Sequence, residues 1–117
     1  MTSSFAKVLA VDAFPETGLH AATVKGWKIL ISRTNGIYYA MNDRCTHAAS
    51  PLSGGRVRGD VIMCPLHGAR FELKTGKCVG GTNRDIRTFV VEIRDGSIWI
   101  EVPDRPPRMD ELPVELA

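Results

Sequence analysis

Two short motifs in the chain contain residue types that bind soft metal ions. Cys45 and His47 form a Cys-x-His motif, and Cys64 and His67 form a Cys-x-x-His motif, with sixteen residues between the two. Thiolate sulfur and imidazole nitrogen are common ligands of zinc and iron in proteins. The two motifs can therefore hold one metal centre between two loops, which the other residues must position and cover.

Two kinds of centre suit a set of two thiolates and two imidazoles. One is structural zinc, in which all four ligands bind a single tetrahedral ion. The other is a two-iron, two-sulfide cluster, in which the two cysteines bind one iron and the two histidines bind the other. Each motif here mixes one Cys with one His, whereas common zinc fingers pair Cys with Cys and His with His. The mixed motifs favour the binuclear cluster, because each loop can give one ligand to each iron.

The elements around these motifs are predicted to be short strands. Glycine-containing turns recur about every eight to twelve residues, with β-branched and aromatic runs between them, which is typical of a small sandwich or barrel. Asn35-Gly36 and Asp95-Gly96 are expected to form tight hairpin turns. The predicted strands cover residues 7–14, 20–25, 27–33, 37–41, 56–58, 61–63, 71–73, 77–79, 87–94 and 97–102. The Pro-rich tail, 103–117, is expected to contain only one helical turn, at 109–112.

The composition is that of an ordinary globular domain. The chain has 117 residues, 44% of them hydrophobic and 24% charged, and a net charge of +2, which is too small to argue for nucleic acid. No run of eighteen apolar residues exists, and the N-terminus lacks an export pattern, so we expect a cytoplasmic protein without a membrane anchor. In that reducing compartment three cysteines favour metal binding over disulfides.

The residues around the motifs resemble the Rieske family. The matching segments are Cys45-Thr46-His47, Cys64-Pro65-Leu66-His67-Gly68, Ala69-Arg70-Phe71 and Thr75-Gly76-Lys77, and the predicted strand layout of residues 5–102 agrees. The resemblance implies an all-β, Rieske-like antiparallel β-sandwich at residues 1–102, with a small cluster-binding subdomain at about 43–81. It also implies one Rieske-type [2Fe–2S] cluster with the ligands Cys45, His47, Cys64 and His67.

Four other positions indicate which kind of Rieske protein this is. Respiratory and photosynthetic members have a disulfide between the cluster loops, and its cysteines would fall at Ser50 and Leu66. They also place a serine and a tyrosine hydroxyl near the cluster, at positions that align with Ala69 and Phe71. A donated hydrogen bond stabilises the reduced cluster, so its loss lowers the potential. We expect a potential near the bottom of the roughly −150 to +300 mV range of Rieske centres.

A low-potential Rieske protein of this size resembles the ferredoxin component of bacterial ring-hydroxylating dioxygenase systems. The resemblance implies a monomeric one-electron carrier between a flavin-dependent reductase and a terminal oxygenase, with transient contacts and neither nucleic acid nor membrane as a partner. It is not expected to be an enzyme, because oxygenases add an iron held by two histidines and a carboxylate, and only His20 remains. The alternatives are the small subunit of an assimilatory nitrite reductase and a structural or regulatory subunit.

The surface near the motifs is expected to be apolar at its tip and basic around it. Pro51, Leu52, Pro65 and Leu66 could form an apolar collar around the histidines. Residues 43–87 contain eight Lys or Arg and four Asp or Glu, whereas the tail 103–117 contains two and four. We expect Arg44, Arg70 and their neighbours to attract an acidic partner, an effect that salt weakens.

Overall fold

The computed structural model describes residues 2–46, 49–66, 68–80 and 84–113, and this part of the chain folds into three antiparallel sheets. Its strands are β1 (Ser3–Ala10), β2 (Leu19–Val24), β3 (Trp27–Thr34), β4 (Ile37–Asn42), β5 (Arg56–Arg58), β6 (Val61–Met63), β7 (Arg70–Glu72), β8 (Cys78–Gly80), β9 (Thr88–Phe89), β10 (Val91–Arg94) and β11 (Ser97–Pro103). The described residues form no α-helix. Three 3₁₀ turns occur at Val11–Ala13, Leu52–Gly54 and Met109–Glu111. The predicted all-β, antiparallel class is confirmed.

The first two sheets pack against each other around one apolar core. The strand order is β1-β11-β10 in one sheet and β2-β3-β4-β9 in the other. Side chains from both sheets meet between them. The buried members of this core are Phe14, Val24, Trp27, Ile29, Ile31, Ala40, Phe89, Ile98, Ile100 and Val102.

The third sheet, β5-β6-β7-β8, forms a second core against the other face of β3 and β4. Leu30 and Met41 are opposite each other in the β3–β4 register, and both lie in this second core. Ile29 and Ile31, their neighbours on β3, face the first core. The continuous apolar run of β3 is therefore explained by a strand that is buried on both faces.

Tight turns connect most neighbouring strands, as the sequence predicted. Asn35 and Gly36 have φ angles of 51° and 78°, and Asp95 and Gly96 have φ angles of 49° and 74°. Two consecutive residues with positive φ match the twist of the flanking strands in a two-residue hairpin. Both predicted hairpins are confirmed.

Two predictions about strands were wrong. The first strand was placed at residues 7–14, but β1 begins at Ser3 because it pairs with β11 from Ser3–Pro103 to Ala10–Ser97. Residues 87–94 were expected to form one strand, yet Thr88–Phe89 pairs with β4 and Val91–Arg94 pairs with β11. The chain therefore changes sheets at Val90.

The C-terminal segment lies against the body of the protein. The Trp27 side chain is fully buried, and its indole N–H donates to the Arg105 carbonyl at 3.0 Å. The guanidinium groups of Arg87 and Arg105 lie 5.5 and 5.0 Å from the Trp27 ring. Glu111 accepts two hydrogen bonds from Arg105, at 2.8 and 3.1 Å. The predicted helical turn at 109–112 is present as the 3₁₀ turn Met109–Glu111.

Candidate metal centre

Cys45 and Cys64 lie together in the second core. Their exposed fractions are 0% and 2%, and both belong to the cluster of buried side chains that contains Leu52, Ala69 and Phe71. The three cysteines, all within the described ranges, form no disulfide. Two thiols enclosed by apolar side chains and shielded from water suit thiolate ligation of a metal centre.

The loops that contain these cysteines have the same backbone hydrogen bonds. The Cys45 N–H donates to the Ser50 carbonyl at 2.8 Å, and the Ala49 N–H donates to the Cys45 carbonyl at 2.7 Å. In the second loop the Cys64 N–H donates to the Ala69 carbonyl at 2.7 Å, and the Gly68 N–H donates to the Cys64 carbonyl at 3.2 Å. The backbone of each cysteine is therefore hydrogen-bonded to the residues four and five positions later.

The match extends to the backbone conformation. Ala49 and Gly68, each four residues after the cysteine, have φ angles of 57° and 73°. This left-handed conformation is natural for glycine and costs a residue with a Cβ roughly 1–2 kcal/mol. The similarity of the loops is not evident from the sequence, because Ala49 lacks the glycine signal that Gly68 provides.

Gly55 joins the two loops at a point where no side chain fits. A Cβ on Gly55 would overlap the Met63 carbonyl and would lie 3.0 Å from the Leu52 carbonyl. Gly54 has room, since a Cβ there would be 3.8 Å from Pro65. Close approach of the loop after Cys45 to the strand before Cys64 therefore depends on the glycine at 55.

Three side chains at the start of the first loop hold it in place through hydrogen bonds to backbone groups. The Asp43 carboxylate accepts a hydrogen bond from the Ser53 N–H at 2.8 Å. The Thr46 hydroxyl donates to the Arg84 carbonyl at 2.8 Å, and the Arg44 guanidinium donates to the Leu112 carbonyl at 3.1 Å. The Arg44 guanidinium therefore contacts the C-terminal segment, and its expected attraction of an acidic partner stays a prediction.

The predicted histidine ligands, His47 and His67, lie outside the described residues. Among the described residues, no three His, Cys, Asp or Glu side chains converge on a common point. The structure thus brings the loops of Cys45 and Cys64 into one core, and the four-ligand set stays a prediction. The donor chemistry fits a thiolate-bound cluster, because both cysteines are buried and make the same backbone hydrogen bonds.

The predicted surroundings of the centre are only partly correct. Ala69 and Phe71 are 1% and 0% exposed, so apolar groups occupy the two positions where the respiratory members have hydroxyls. Pro65 and Leu66 are exposed, whereas Leu52 is fully buried and cannot belong to a surface collar. The reason is that the 3₁₀ turn Leu52–Gly54 turns the Leu52 side chain into the second core.

Glu111, in the C-terminal segment, has a perturbed pKa with a clear structural cause. The Arg105 guanidinium, helped by a hydrogen bond from the Arg108 N–H, lowers the pKa of Glu111 to about 2, although partial burial opposes the shift. This carboxylate therefore stays ionised and holds the C-terminal segment in place. The Leu112 carbonyl of that segment accepts a hydrogen bond from Arg44, the residue before Cys45.

No helix among the described residues is long and apolar enough to cross a bilayer.

Comparison with known proteins agrees with this architecture. Residues 4–90 match the model of the Rieske [2Fe-2S] domain. The chain is 32% identical over 103 residues to the ferredoxin component of the naphthalene 1,2-dioxygenase/salicylate 5-hydroxylase systems of Ralstonia sp, covering 87% of this chain and 99% of that protein.

Two solved structures are similar in fold as well as in sequence. One is a chain in the complex of reduced oxygenase and oxidized ferredoxin in carbazole 1,9a-dioxygenase, with a TM-score of 0.76, 30% identity and coverage of 82% of this chain and 91% of that one. The other is the Sphingomonas yanoikuyae B1 ferredoxin, with a TM-score of 0.79, 25% identity and coverage of 86% and 100%. With the buried cysteine pair and the matched loops, these likenesses show that the chain belongs to the Rieske [2Fe-2S] domain family, whose cofactor is a Rieske-type [2Fe–2S] cluster.

Proposed function

We propose that the protein is a low-potential one-electron carrier that passes electrons from a flavin-dependent reductase to a terminal Rieske oxygenase. The Ralstonia relative is named as a ferredoxin component, and it aligns over 99% of its own length. The similar chain from the carbazole 1,9a-dioxygenase complex comes from an assembly of oxygenase and ferredoxin. Both likenesses favour a dioxygenase ferredoxin over a nitrite reductase subunit.

The proposed ligands are Cys45 and Cys64 on one iron and His47 and His67 on the other. The observation that carries this assignment is the pair of buried cysteines at the same position of two loops with the same hydrogen bonds. Each loop then supplies one cysteine and one histidine. When bound, the cluster supplies reversible one-electron chemistry.

The chain's own residues control access to the centre and its potential. Leu52, Ile62 and Phe71, which are fully buried, exclude water from the cysteine side. Ala69 and Phe71 offer no hydroxyl to the centre, which supports a low potential. Pro65 and Leu66, which directly precede His67, are exposed, so a partner can contact this loop without a conformational change at these two residues.

Metal analysis and electron paramagnetic resonance test the ligand assignment. The native protein should contain two irons and two sulfides per chain and give a Rieske-type signal after dithionite reduction. Substitution of Cys45, His47, Cys64 or His67 by Ala should abolish the visible absorption. Cys78→Ala and His20→Ala are matched controls, since they remove the one other cysteine and the one other histidine of the chain, and both should retain it. A single zinc ion without sulfide would contradict the proposal.

Reconstitution with candidate partners tests the proposed role. We expect NAD(P)H to reduce the cluster only when a flavoprotein reductase is present, and the reduced protein to pass its electron to a terminal oxygenase. Electron transfer to a sirohaem protein instead would indicate the nitrite reductase subunit.

A further inference from the structure

The outer face of the third sheet presents three arginines around an apolar floor. Arg56 and Arg58 on β5 and Arg70 on β7 are exposed. Together with three apolar side chains they line a shallow concavity of about 350 Å³. We call this surface the arginine face; its residues are Arg56, Arg58, Val61, Met63, Arg70 and Val79.

Strand register explains why these side chains share one face. Met63 is opposite Arg56 on one side and Arg70 on the other, and Val61 is opposite Arg58. Directly paired residues of antiparallel strands point to the same side of a sheet. The intervening Ile62 and Phe71 are fully buried in the second core, so the arginine side must face solvent.

The positive charge of this face is only partly offset by the neighbours that the structure describes, because its three arginines outnumber one carboxylate, that of Glu72, which is opposite Val61. None of its three arginines forms an ion pair with a described residue, whereas Arg105 pairs with Glu111 at 2.8 Å and Lys25 pairs with Asp104 at 3.1 Å. Glu72 on β7 accepts a hydrogen bond from the Thr75 hydroxyl at 2.7 Å rather than binding an arginine. Three guanidinium groups thus remain available for carboxylates.

A glycine makes room for Arg70 at the edge of the sheet. Gly80 on β8 is opposite Arg70, and a Cβ on Gly80 would lie 2.5 Å from Nη2 of Arg70. The guanidinium therefore lies across the backbone of β8, beside Val79, which is 42% exposed. A side chain at position 80 would force Arg70 away from this place.

The arginine face borders the loop of Cys64. Met63 directly precedes Cys64, and Arg70 directly follows Ala69, whose carbonyl accepts the hydrogen bond of the Cys64 N–H. A protein docked on this face would therefore lie next to the proposed centre. Closeness of that kind is what electron transfer between two proteins requires.

We propose that the arginine face is a docking surface for an electron-transfer protein that presents an acidic patch with an apolar side chain at its middle. The carboxylates would pair with Arg56, Arg58 and Arg70, and the apolar side chain would contact Met63 and Val79. Such an interface is small and transient, and its association rate falls with ionic strength. This inference rests on the proposed function, because it assumes that the protein exchanges electrons with a partner.

Stopped-flow reduction of the holoprotein by a flavodoxin hydroquinone, an acidic FMN protein, tests the inference. One electron leaves the flavin, which is oxidised by one electron, and enters the [2Fe–2S] cluster, which is reduced by one. At low salt the combined variant Arg56→Gln, Arg58→Gln and Arg70→Gln should react about ten-fold more slowly than the native protein. Calorimetry with oxidised flavodoxin should show a parallel loss of binding.

The matched control removes the same charge from other surfaces. Lys7→Gln, Lys25→Gln and Arg94→Gln together should change the rate less than about two-fold. Equal slowing of both combined variants would overturn the proposal, because net charge and not this face would then set the rate. Gly80→Val keeps the charge but displaces Arg70, so its rate should fall towards that of Arg70→Gln. A native rate in Gly80→Val would contradict specific docking at this position.

Two further measurements distinguish protein docking from a small-molecule site and from loss of the cluster. Benzoate tests whether the face binds small carboxylates instead. If benzoate inhibits the native protein more than chloride does at equal ionic strength, and the triple arginine variant loses this inhibition, the face is a small-molecule site. That result would overturn the proposal. Direct reduction by dithionite monitors the centre itself. If dithionite reduces the protein normally but electron transfer from flavodoxin does not depend on salt, the docking surface is rejected and the proposed function is not. If the protein gives no cluster signal, the proposed function itself is rejected.

Discussion

The two cysteine loops have the same backbone hydrogen bonds and a left-handed residue at the same position, but they reach this arrangement by different means. The second loop closes a short hairpin, since it connects β6 to β7 directly after the Met63–Arg70 pair, and it has Gly68 at the left-handed position. The first loop connects distant strands and has Ala49 there. It is held by contacts from far along the chain, including Arg84 and Leu112. Local sequence thus determines one loop, whereas tertiary contacts impose the same shape on the other.

The largest loss of stability is expected at Gly55, where the chain after the first loop contacts the strand before the second. Gly55→Ala should destabilise the protein by about 2–4 kcal/mol, because the new Cβ overlaps the Met63 carbonyl and must push the loops apart. Chemical denaturation and cluster content measure the effect. Gly54→Ala is the control and should be nearly neutral, since its Cβ makes only an ordinary contact with Pro65. Equal stability of the two variants would show that the loops are not held this closely.

Exchange of the residues at the left-handed positions tests the comparison most directly. Gly68→Ala should cost about 1–2 kcal/mol, because it puts a Cβ into a conformation with φ of 73°. Ala49→Gly should gain about 0.5 kcal/mol, since relief of the same strain exceeds the added flexibility of the unfolded chain. Thermal or denaturant unfolding measures both. Changes of the same sign would contradict the view that the loops share one backbone geometry.

The polar groups near the centre differ between the loops as well. Thr46 in the first loop donates its hydroxyl to the Arg84 carbonyl. At the end of the second loop and on β7, Ala69 and Phe71 have no hydroxyl to donate. Ala69→Ser or Phe71→Tyr should raise the reduction potential by about 20–65 mV each, which corresponds to a hydrogen bond of about 0.5–1.5 kcal/mol for one electron. Redox titration followed by absorbance measures this shift. Ile62→Val, a buried change without a hydroxyl, should leave the potential unchanged.

A pH-dependent effect is expected for the C-terminal segment that supports the first loop. The pKa of Glu111 is about 2, below its ordinary value of 4.5. The ionised carboxylate therefore stabilises the folded chain above pH 4.5, and this contribution disappears as the pH falls from 4.5 to about 2. Glu111→Gln should lower the free energy of unfolding by about 1–2 kcal/mol at pH 7. Unfolding of both proteins between about pH 7 and pH 3 should show the difference shrinking at the acid end.

Several elements could be predicted because their causes are local. β5 and β6 have the predicted bounds, and the Asn35-Gly36 and Asp95-Gly96 turns follow from residues that tolerate positive φ. The bounds of β1 could not be predicted in this way. Its apolar residues extend in both directions, and only the register with β11 decides that the strand begins at Ser3.

The sequence by itself determined the all-β class, the two tight hairpin turns and the placement of Cys45 and Cys64 on two separate loops, because each follows from preferences of neighbouring residues. Tertiary structure alone decided that β3 is buried on both faces, that Leu52 turns inward, that Arg44 holds the C-terminal segment and that three arginines share one face. The physical reason is that these features depend on contacts between residues far apart in the chain. Such contacts outweigh local preference wherever packing or pairing provides more free energy than the backbone conformation costs.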